Sequence, residues 1–377
     1  MTGLGAAEVR ETATGALRHR LPLEGLVTHL NFSPDGRRIV ACTSLGEARV
    51  WDAQTGAPVI EPLRGPPSHY VAFSPDGRLF CVVSSHNTVT LSETETGRSA
   101  GPTLTNNSAG VSALFSRDSR RLFVATASGE LEFWSVPEGT RLERSVRHKD
   151  VIWTTRFSPD ERLLLTASRD RTAALWEAET GRLVREFRHE QQVLNAVFSP
   201  DGKRILTGDG SRRAFIWDAA TGERLIELMP HPGAAWYGEF STDGRLILTG
   251  DDAGNARLWD AASGLPLSGW VKNGPSLKRT HLSPDGKWAL SAAETGTVRV
   301  WPVLVAPLPA PAWLPELAEA MAGRRLREDG TLEQVPAERS LTLKSSLAAN
   351  TADYFYSRWA KWFLIERMKE KPAAFVP

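Results

Sequence analysis

The sequence has little cysteine and no excess of charge of either sign. Cys42 and Cys81 are its only cysteines and both lie in apolar runs, so we expect buried, reduced thiols and no disulfide framework. The 45 basic and 44 acidic side chains leave a net charge of +1, without a long block of like charge. Proteins that bind nucleic acid usually present a strongly basic face. We therefore expect no nucleic-acid partner.

Long apolar runs are also missing. No stretch approaches the roughly 18 apolar residues of a membrane span, and the start MTGLGAAEVR lacks the apolar core of a signal peptide. These absences predict a cytoplasmic protein that does not associate with membranes.

The common catalytic and metal-binding motifs do not occur. There is no Gly-x-Ser-x-Gly, Cys-x-x-Cys or Walker pattern. His189 and Glu190 begin a zinc-protease motif, but Val193 stands where its second His is required. The eight His are spread over separate parts of the chain, which keeps most of them too far apart to share a metal. The sequence therefore predicts no cofactor, no metal site and no enzymatic activity.

What the chain does contain is one pattern that returns every 41 or 42 residues. Phe-Ser-Pro-Asp-Gly and its weaker copies begin at Phe32, Phe73, Phe115, Phe157, Phe198, Phe240 and Leu282. A Trp follows in six of the seven copies, at Trp51, Trp134, Trp176, Trp217, Trp259 and Trp301, and Leu91 takes its place in the second. So regular a period indicates seven equivalent structural units.

Each unit is predicted to be a small antiparallel sheet. Alternating apolar residues such as Leu194, Ala196 and Phe198 lead into the anchor, as expected for a strand. Pro-Asp-Gly then favours a tight turn, because Pro presets φ and Gly accepts a positive φ. Three further β-rich runs follow, for example RILTG, RAFIWD and RLIEL. Four short strands per repeat make one blade.

Seven blades predict an all-β fold, a seven-bladed β-propeller over residues 1–303 with residues 1–10 frayed, because a lone blade cannot bury both faces. Residues 10–22 match a fourth strand that has no blade of its own ahead of it. The seventh copy lacks a good fourth strand, since Pro interrupts the residues after Trp301. We therefore expect the N-terminal strand, residues 16–21, to complete the last blade and close the ring.

The repeats, with Trp51-Asp52, Trp217-Asp218 and Trp259-Asp260, resemble the WD40-repeat family over residues 10–303. The resemblance implies a protein-interaction scaffold whose blades are stiffened by a hydrogen-bond relay of His, a strand hydroxyl, Asp and Trp. Blade four carries the full set, namely His148, Ser168 or Thr166, Asp170 and Trp176. In blades five and six the nearest acids, Asp209 and Asp251 or Asp252, are displaced by one or two positions, which argues against a complete relay there.

The resemblance also implies where partners bind. In WD40 proteins the residue four positions before the anchor faces the narrow end of the ring, and here that position holds Thr28, His69, Val111, Trp153, Leu194, Trp236 and Lys278. Aromatic residues on a rigid rim are typical anchors for a partner. We predict a partner-binding site at Trp153, Leu194, Trp236, His69 and Val111, flanked by Arg169 and Asp150. Alternatively, the two Trp fold inward over the channel or lie under a loop.

The repeat stops after residue 303, and residues 304–377 are predicted to form a Pro-rich linker and a small, mainly helical extension. Residues 313–323 read as a short amphipathic helix, and residues 324–335 as a hairpin around Asp329-Gly330. A longer helix is expected over residues 352–369, where Phe355, Trp359, Trp362 and Phe363 recur at helical spacing.

The leading functional prediction is a monomeric, non-catalytic scaffold that binds a protein or peptide partner on the narrow face. The repeats and the tail also resemble the C-terminal halves of large bacterial proteins in which a Ser/Thr kinase precedes the propeller. The chain begins within a repeat, so a first alternative is a regulatory domain of a bacterial kinase signalling system. A second alternative is a propeller enzyme with its active site in the central funnel, which would need titratable groups that converge around the channel.

Overall fold

The repeats fold into seven blades, and the predicted all-β, seven-bladed propeller is confirmed. The computed structural model describes residues 2–11, 14–303, 324–326 and 331–336, together with residues 316, 319, 338 and 342. Blades two to six are four-stranded antiparallel sheets in simple chain order. Along each blade the strands are called A to D from the channel outward.

The strands follow the repeats closely. Blade one and the strand before it comprise β1 (Thr2–Arg10), β2 (Leu17–Phe32), β3 (Arg38–Thr43), β4 (Glu47–Asp52) and β5 (Leu63–Arg64). Blade two comprises β6 (Ser68–Phe73), β7 (Leu79–Ser84), β8 (Thr88–Glu93) and β9 (Leu104–Thr105); blade three comprises β10 (Gly110–Phe115), β11 (Arg121–Thr126), β12 (Glu130–Ser135) and β13 (Thr140–Arg147). Blade four comprises β14 (Ile152–Phe157), β15 (Leu163–Ser168), β16 (Thr172–Glu177) and β17 (Leu183–Arg188). Blade five comprises β18 (Val193–Phe198), β19 (Arg204–Asp209), β20 (Ala214–Asp218) and β21 (Arg224–Glu227); blade six comprises β22 (Ala235–Phe240), β23 (Leu246–Asp251), β24 (Asn255–Asp260) and β25 (Val271–Lys272). Blade seven comprises β26 (Leu277–Leu282), β27 (Trp288–Ala293) and β28 (Val298–Pro302).

The repeated Ser-Pro-Asp-Gly builds the turn between strands A and B. In blade five the Ser199 hydroxyl donates to Asp201 Oδ1 at 2.6 Å, and the Lys203 amide donates to the same oxygen at 3.1 Å. Gly202 has a φ of +70°, in the left-handed region that other residues rarely adopt. The repeated Asp is therefore explained by turn chemistry.

The core lies between the blades. At the interface of blades five and six, Leu206, Ile216 and Leu228 of one blade pack with Ile247 and Trp259 of the next. Trp259 is fully buried there. The repeat Trp of blades one and three to five also lie in core clusters. Because such packing joins neighbouring blades, they stabilise one another and no blade is expected to fold alone.

The N-terminal residues correct two expectations. Residues 2–10 are not frayed, because they form β1, which pairs with the first part of β2. Residues 17–21 pair with β1 and not with the last blade, whose described part has three strands. A hairpin between β1 and β2 closes a short loop, whereas pairing with β28 would close almost the whole chain and cost more entropy.

The N-terminal hairpin nevertheless packs against blade one. Leu21 is fully buried in one cluster with Ile39 and Trp51 of blade one. Leu228 packs in the same way with Ile247 and Trp259 between blades five and six. The N-terminal hairpin thus covers the face of blade one that an outer strand of blade seven was expected to cover.

The seam between blades seven and one is less tightly packed than the other interfaces. The two blades meet beside the channel, where Arg279 Nη2 donates to His29 Nε2 at 3.1 Å. Phe32, the anchor of blade one, is 49% exposed, whereas Phe73 and Phe115 at the equivalent positions are 8% and 5% exposed. The apolar anchor of blade one therefore gains less from burial than its counterparts do.

The chain divides into two compact units, Met1–Pro302 and Val303–Pro377. In the second unit, β29 (Arg324–Leu326) pairs with β30 (Leu332–Gln334) in the predicted hairpin. The predicted helix over residues 352–369 lies outside the described residues, as does the one over residues 313–323 except for Glu316 and Glu319, which are helical. Within the part of the chain that the structure describes, no helix is long and apolar enough to cross a bilayer.

Candidate partner-binding site and central channel

From blade one to blade seven, the A strands of successive blades contact one another and so line the central channel. They all begin on the same side of the ring. We call this side the upper face; it comprises the loops between blades and those between strands B and C, for example residues 148–151 and 169–171. It corresponds to the predicted narrow face.

Every A strand contains an irregularity at the predicted binding position. In blade four, Ile152 pairs with Ser168 and Thr154 pairs with Ala167, so Trp153 is an extra residue in the ladder. Trp236 is the extra residue of blade six in the same way. Such β-bulges re-aim a side chain without ending the strand. The bulge therefore gives this position a side-chain direction of its own, distinct from that of its neighbours in the strand.

Trp153 and Trp236 lie against each other. Their ring centroids are 6.2 Å apart and the rings are inclined at 59°, a favourable aromatic geometry. The two residues belong to blades four and six, so the rings meet in front of the A strand of blade five. Both are partly buried. The two rings thus form an aromatic pair that is partly accessible, and the rim site stays a prediction.

The other predicted site residues have different surroundings. Leu194 is only 2% exposed, so it contributes packing in blade five rather than contact area. Arg169 Nε lies 3.8 Å from Asp150 Oδ2, and both side chains are exposed. The flanking polar pair therefore exists on the upper face, although an exposed ion pair of this length is weak.

His69 and Val111 lie at the same register on blades two and three. His69 Nε2 is hydrogen-bonded to the carbonyl of Gly110, which ties blade two to blade three. Asn195 makes a similar link from blade five to blade six, donating to the Gly238 carbonyl at 2.9 Å. Val111 is partly buried. The structure does not bring His69 and Val111 into contact with the aromatic pair.

Blade four contains a continuous relay. His148 Nδ1 lies 2.9 Å from Asp170 Oδ2, and His148 Nε2 lies 2.7 Å from Thr166 Oγ1. Trp176 Nε1 donates to the same hydroxyl at 2.8 Å. Burial acts to raise the pKa of Asp170, but hydrogen bonds from His148 and Thr172 hold that pKa well below its usual range. A buried network with every member paired stiffens the blade.

Ser168 is not a member of this relay, which corrects one of the two choices that the sequence left open. Its hydroxyl donates to the Asp150 carbonyl at 2.9 Å and accepts from the Asp170 amide at 3.1 Å. Ser168 is the last residue of β15, so alternation places it and Thr166 on the same face, but two residues apart along the strand. Only Thr166, directly across from Ala174, is within reach of the indole.

Blades five and six each lack one link of the relay. In blade five, His189 Nδ1 lies 3.1 Å from Asp209 Oδ2, but His189 Nε2 is buried without a partner among the described residues. In blade six, His231 Nε2 reaches Thr249 at 2.7 Å, but its Nδ1 is left unpaired there. The displaced acids thus shorten the relay without abolishing it.

The channel also gathers titratable groups that the sequence did not single out. They lie one or three positions before the anchor of their repeat: His29, Tyr70, Arg156, Tyr237, Glu239, Arg279 and His281. His281 Nδ1 lies 3.0 Å from Glu239 Oε2, and this hydrogen bond raises the pKa of His281. Counting one and three residues on from the bulge, along the channel side of each strand, would have found these positions. Within the described ranges, no group of three or more His, Cys, Asp or Glu is placed to hold a metal ion.

A family model described as "WD domain, G-beta repeat" matches this chain five times, at residues 17–52, 140–177, 181–218, 223–260 and 275–302. The matches cover the outer strand of blade three and blades four, five and seven, together with blades one and six except for their outer strands, β5 and β25. The second repeat, in which Leu91 replaces the Trp, lies outside them.

Three curated relatives share short stretches with this chain. "WD repeat-containing protein 3" of Mus musculus is 30% identical over 16% of this chain and 6% of its own length. A "U4/U6 small nuclear ribonucleoprotein PRP4-like protein" of Arabidopsis thaliana is 38% identical over 17% and 12%. "Eukaryotic translation initiation factor 3 subunit I" of Neosartorya fischeri is 37% identical over 18% and 20%. The matched stretches thus span at most a fifth of these relatives.

Among solved structures, the crystal structure of a computationally designed protein, Ika8, superposes with a TM-score of 0.70 at 22% identity. The superposition covers 79% of this chain and 91% of the designed one, and it shows a likeness of fold alone. The relatives named here are eukaryotic, so the relation to bacterial kinase-linked proteins stays a prediction. Five matched repeats and seven blades together support placing this chain in the WD40 β-propeller family.

Proposed function

We propose that this chain is a non-catalytic scaffold that binds a protein or peptide partner on its upper face. The observation that carries the proposal is the pair of Trp153 and Trp236, whose rings lie 6.2 Å apart on two bulged positions. WD40 propellers are typically interaction scaffolds, and relatives named for a ribonucleoprotein and for a subunit of an initiation factor are consistent with that class.

The aromatic pair suits a role as an anchor. Each ring restrains the other, so little rotamer entropy is left to lose when a partner binds. Complete burial of an exposed Trp contributes about 4–6 kcal/mol as an upper bound. Because both rings are already partly buried, we expect the pair together to contribute about 3 kcal/mol. Arg169 and Asp150 would supply polar contacts at the edge, where charges affect specificity more than affinity.

Substitution of the pair tests the proposal. The double variant Trp153→Ala and Trp236→Ala should lose about a hundredfold in affinity for a partner captured from native extract, measured by titration of the purified complex. The matched control is Leu183→Ala with Leu225→Ala, two exposed leucines on the outer strands of blades four and five. If the double Trp variant keeps its melting temperature within a few degrees and captures the same partners with unchanged affinity, the upper-face site is wrong.

The two alternatives make different demands. A regulatory domain of a kinase system requires a kinase that co-purifies with the chain or is encoded beside it. If neither kinase is found, this alternative is wrong. An enzyme in the channel would use the pair of His281 and Glu239, which is the most reactive arrangement of described groups there. Turnover of any substrate that His281→Gln abolishes would favour the enzyme. The cytoplasmic location and the monomeric state remain part of the proposal.

A further inference from the structure

Two arginines project into the central channel from opposite sides of the ring. Along each A strand the residue two positions before the anchor is turned into the blade interface, as Val71 and Ala196 show by being fully buried. Alternation then turns the residues one and three positions before the anchor toward the channel. Arg156 of blade four and Arg279 of blade seven occupy such positions.

Arg279 is held by a neutral partner. Its Nη2 lies 3.1 Å from His29 Nε2, and His29 Nδ1 lies 3.0 Å from the Val71 carbonyl. A carbonyl only accepts, so the proton sits on Nδ1, and Nε2 accepts from Arg279. Burial, together with the nearby Arg279 and Arg156 charges, lowers the pKa of His29 to about 4. The ring is therefore neutral near pH 7 and leaves the charge of Arg279 uncompensated.

Arg156 is also without a counter-ion. Its guanidinium donates to the carbonyl of Thr155 on its own strand at 2.9 Å, and it has no ion pair within the described residues. Blade four lies across the ring from blades seven and one, yet the charge of Arg156 acts on both His281 and His29. The guanidinium of Arg156 is thus bonded to its own strand, and its charge faces the same channel groups, His29 and His281, as that of Arg279 does.

The only acidic side chain among these channel positions is already engaged. Glu239 Oε2 lies 3.0 Å from His281 Nδ1, and Glu239 Oε1 accepts from the amide of Leu282. Tyr70, stacked on His29 with ring centroids 4.3 Å apart, adds a neutral wall. The described part of the channel thus holds two guanidinium groups that no carboxylate balances.

We propose that the central channel binds a compact oxyanion, a phosphate or a carboxylate group, between Arg156 and Arg279. Guanidinium groups bind such anions through paired, charge-assisted hydrogen bonds. The walls of the channel have a low dielectric constant, which concentrates the field of the two charges inside it. This site is separate from the aromatic pair at the channel mouth and does not depend on which partner docks there.

The test uses inorganic phosphate and, in a second series, acetate, each added to the full chain at constant ionic strength with chloride as the reference. An anion that binds only the folded state raises the melting temperature in a saturable way. We expect saturation with at least one of the two anions, measured by thermal unfolding and by calorimetric titration. The series that saturates identifies which oxyanion the channel prefers.

Variants separate the site from a general salt effect. Arg156→Gln and Arg279→Gln should each weaken binding at least tenfold, whereas Arg279→Lys should retain part of it. Arg169→Gln on the upper face serves as the matched control and should bind as the unchanged chain does. Arg156→Gln is the cleaner variant, since its side chain bonds only to its own strand. Absence of saturation with both anions, or equal binding by the Arg156→Gln variant, would overturn the proposal.

Discussion

Blades four and six contain the same three relay residues but differ in the reach of their acid. Asp170 lies in the turn beyond β15 and completes the relay by its hydrogen bond with His148. Asp251 is the last residue of β23, and its carboxylate accepts from Asn255 and the Gly233 amide instead. His231 consequently keeps its bond to Thr249 but has no acid at its other nitrogen. Counted from the repeat Trp, the acid of blade six lies two positions earlier than that of blade four. Asp209 of blade five lies at the same early position but does reach His189, so the position alone does not decide whether an acid holds the His.

The largest expected difference between the two blades concerns the acid itself. Asp170→Ala should lower the free energy of unfolding by about 3–5 kcal/mol, because it leaves His148, Thr172 and the Lys149 amide without their acceptor. Urea unfolding would measure the loss. Asp252→Ala in blade six is the control, since its exposed carboxylate accepts one amide, and it should cost about 1 kcal/mol or less. Equal losses in the two variants would contradict the comparison.

Acid should act on blade six through His231. Burial lowers the pKa of His231 to about 4, below its usual value of 6.5. The unfolded chain then binds more protons than the folded one between these two values, so stability is fully present above pH 6.5 and is lost as the pH falls toward 4. The loss approaches about 3 kcal/mol. The free energy of unfolding should change less between about pH 7 and about pH 5 in His231→Gln than in the unchanged chain. Some change should remain in the variant, because His29 still titrates there.

A smaller difference is expected for the relay hydroxyls. Thr166 bonds both His148 and Trp176, whereas Thr207 of blade five accepts only from Trp217. Thr166→Val should therefore cost about 2 kcal/mol and Thr207→Val about 1 kcal/mol. Parallel urea titrations of the two variants would measure both values. A larger loss in Thr207→Val would mean that the shared hydroxyl in blade four does not couple His and Trp.

The smallest effect is expected on the upper face of blade four. Arg169 and Asp150 are exposed and 3.8 Å apart, so Arg169→Ala should change the free energy of unfolding by less than about 0.5 kcal/mol. The same unfolding assay applies. A clear loss would show that this pair supports the neighbouring relay turn rather than standing apart from it.

Much of this architecture follows from the sequence because one period repeats seven times. The anchors from Phe32 to Leu282 place strands A and B, and the Trp place strand C, since alternation and turn chemistry act locally. The partner of the N-terminal strand could not be predicted in the same way. The repeat predicts an outer strand for blade seven, but the local hairpin with β1 closes a much shorter loop, and the period carries no information on that hairpin.

The candidate site could likewise be predicted only in part from the sequence. The register placed Trp153 and Trp236 at the channel mouth, but it could not show that rings from blades four and six would touch. Side-chain direction at a bulge depends on backbone geometry that spacing alone does not encode. Arg156 and Arg279 follow the bulge along their strands. Their direction depends on the same backbone geometry, so the spacing did not indicate them as channel groups.

The bulge has one more consequence. A residue that is extra to the hydrogen-bonded ladder leaves the pairs on either side of it in register, and each A strand carries one such residue at the same height. Leu194 is buried, and Thr28 and His69 bond the neighbouring blade, so the remaining four positions are the ones whose side chains can vary on a constant frame. New binding specificities could be installed there by combinatorial substitution, with the turns, relays and interblade Trp left unaltered.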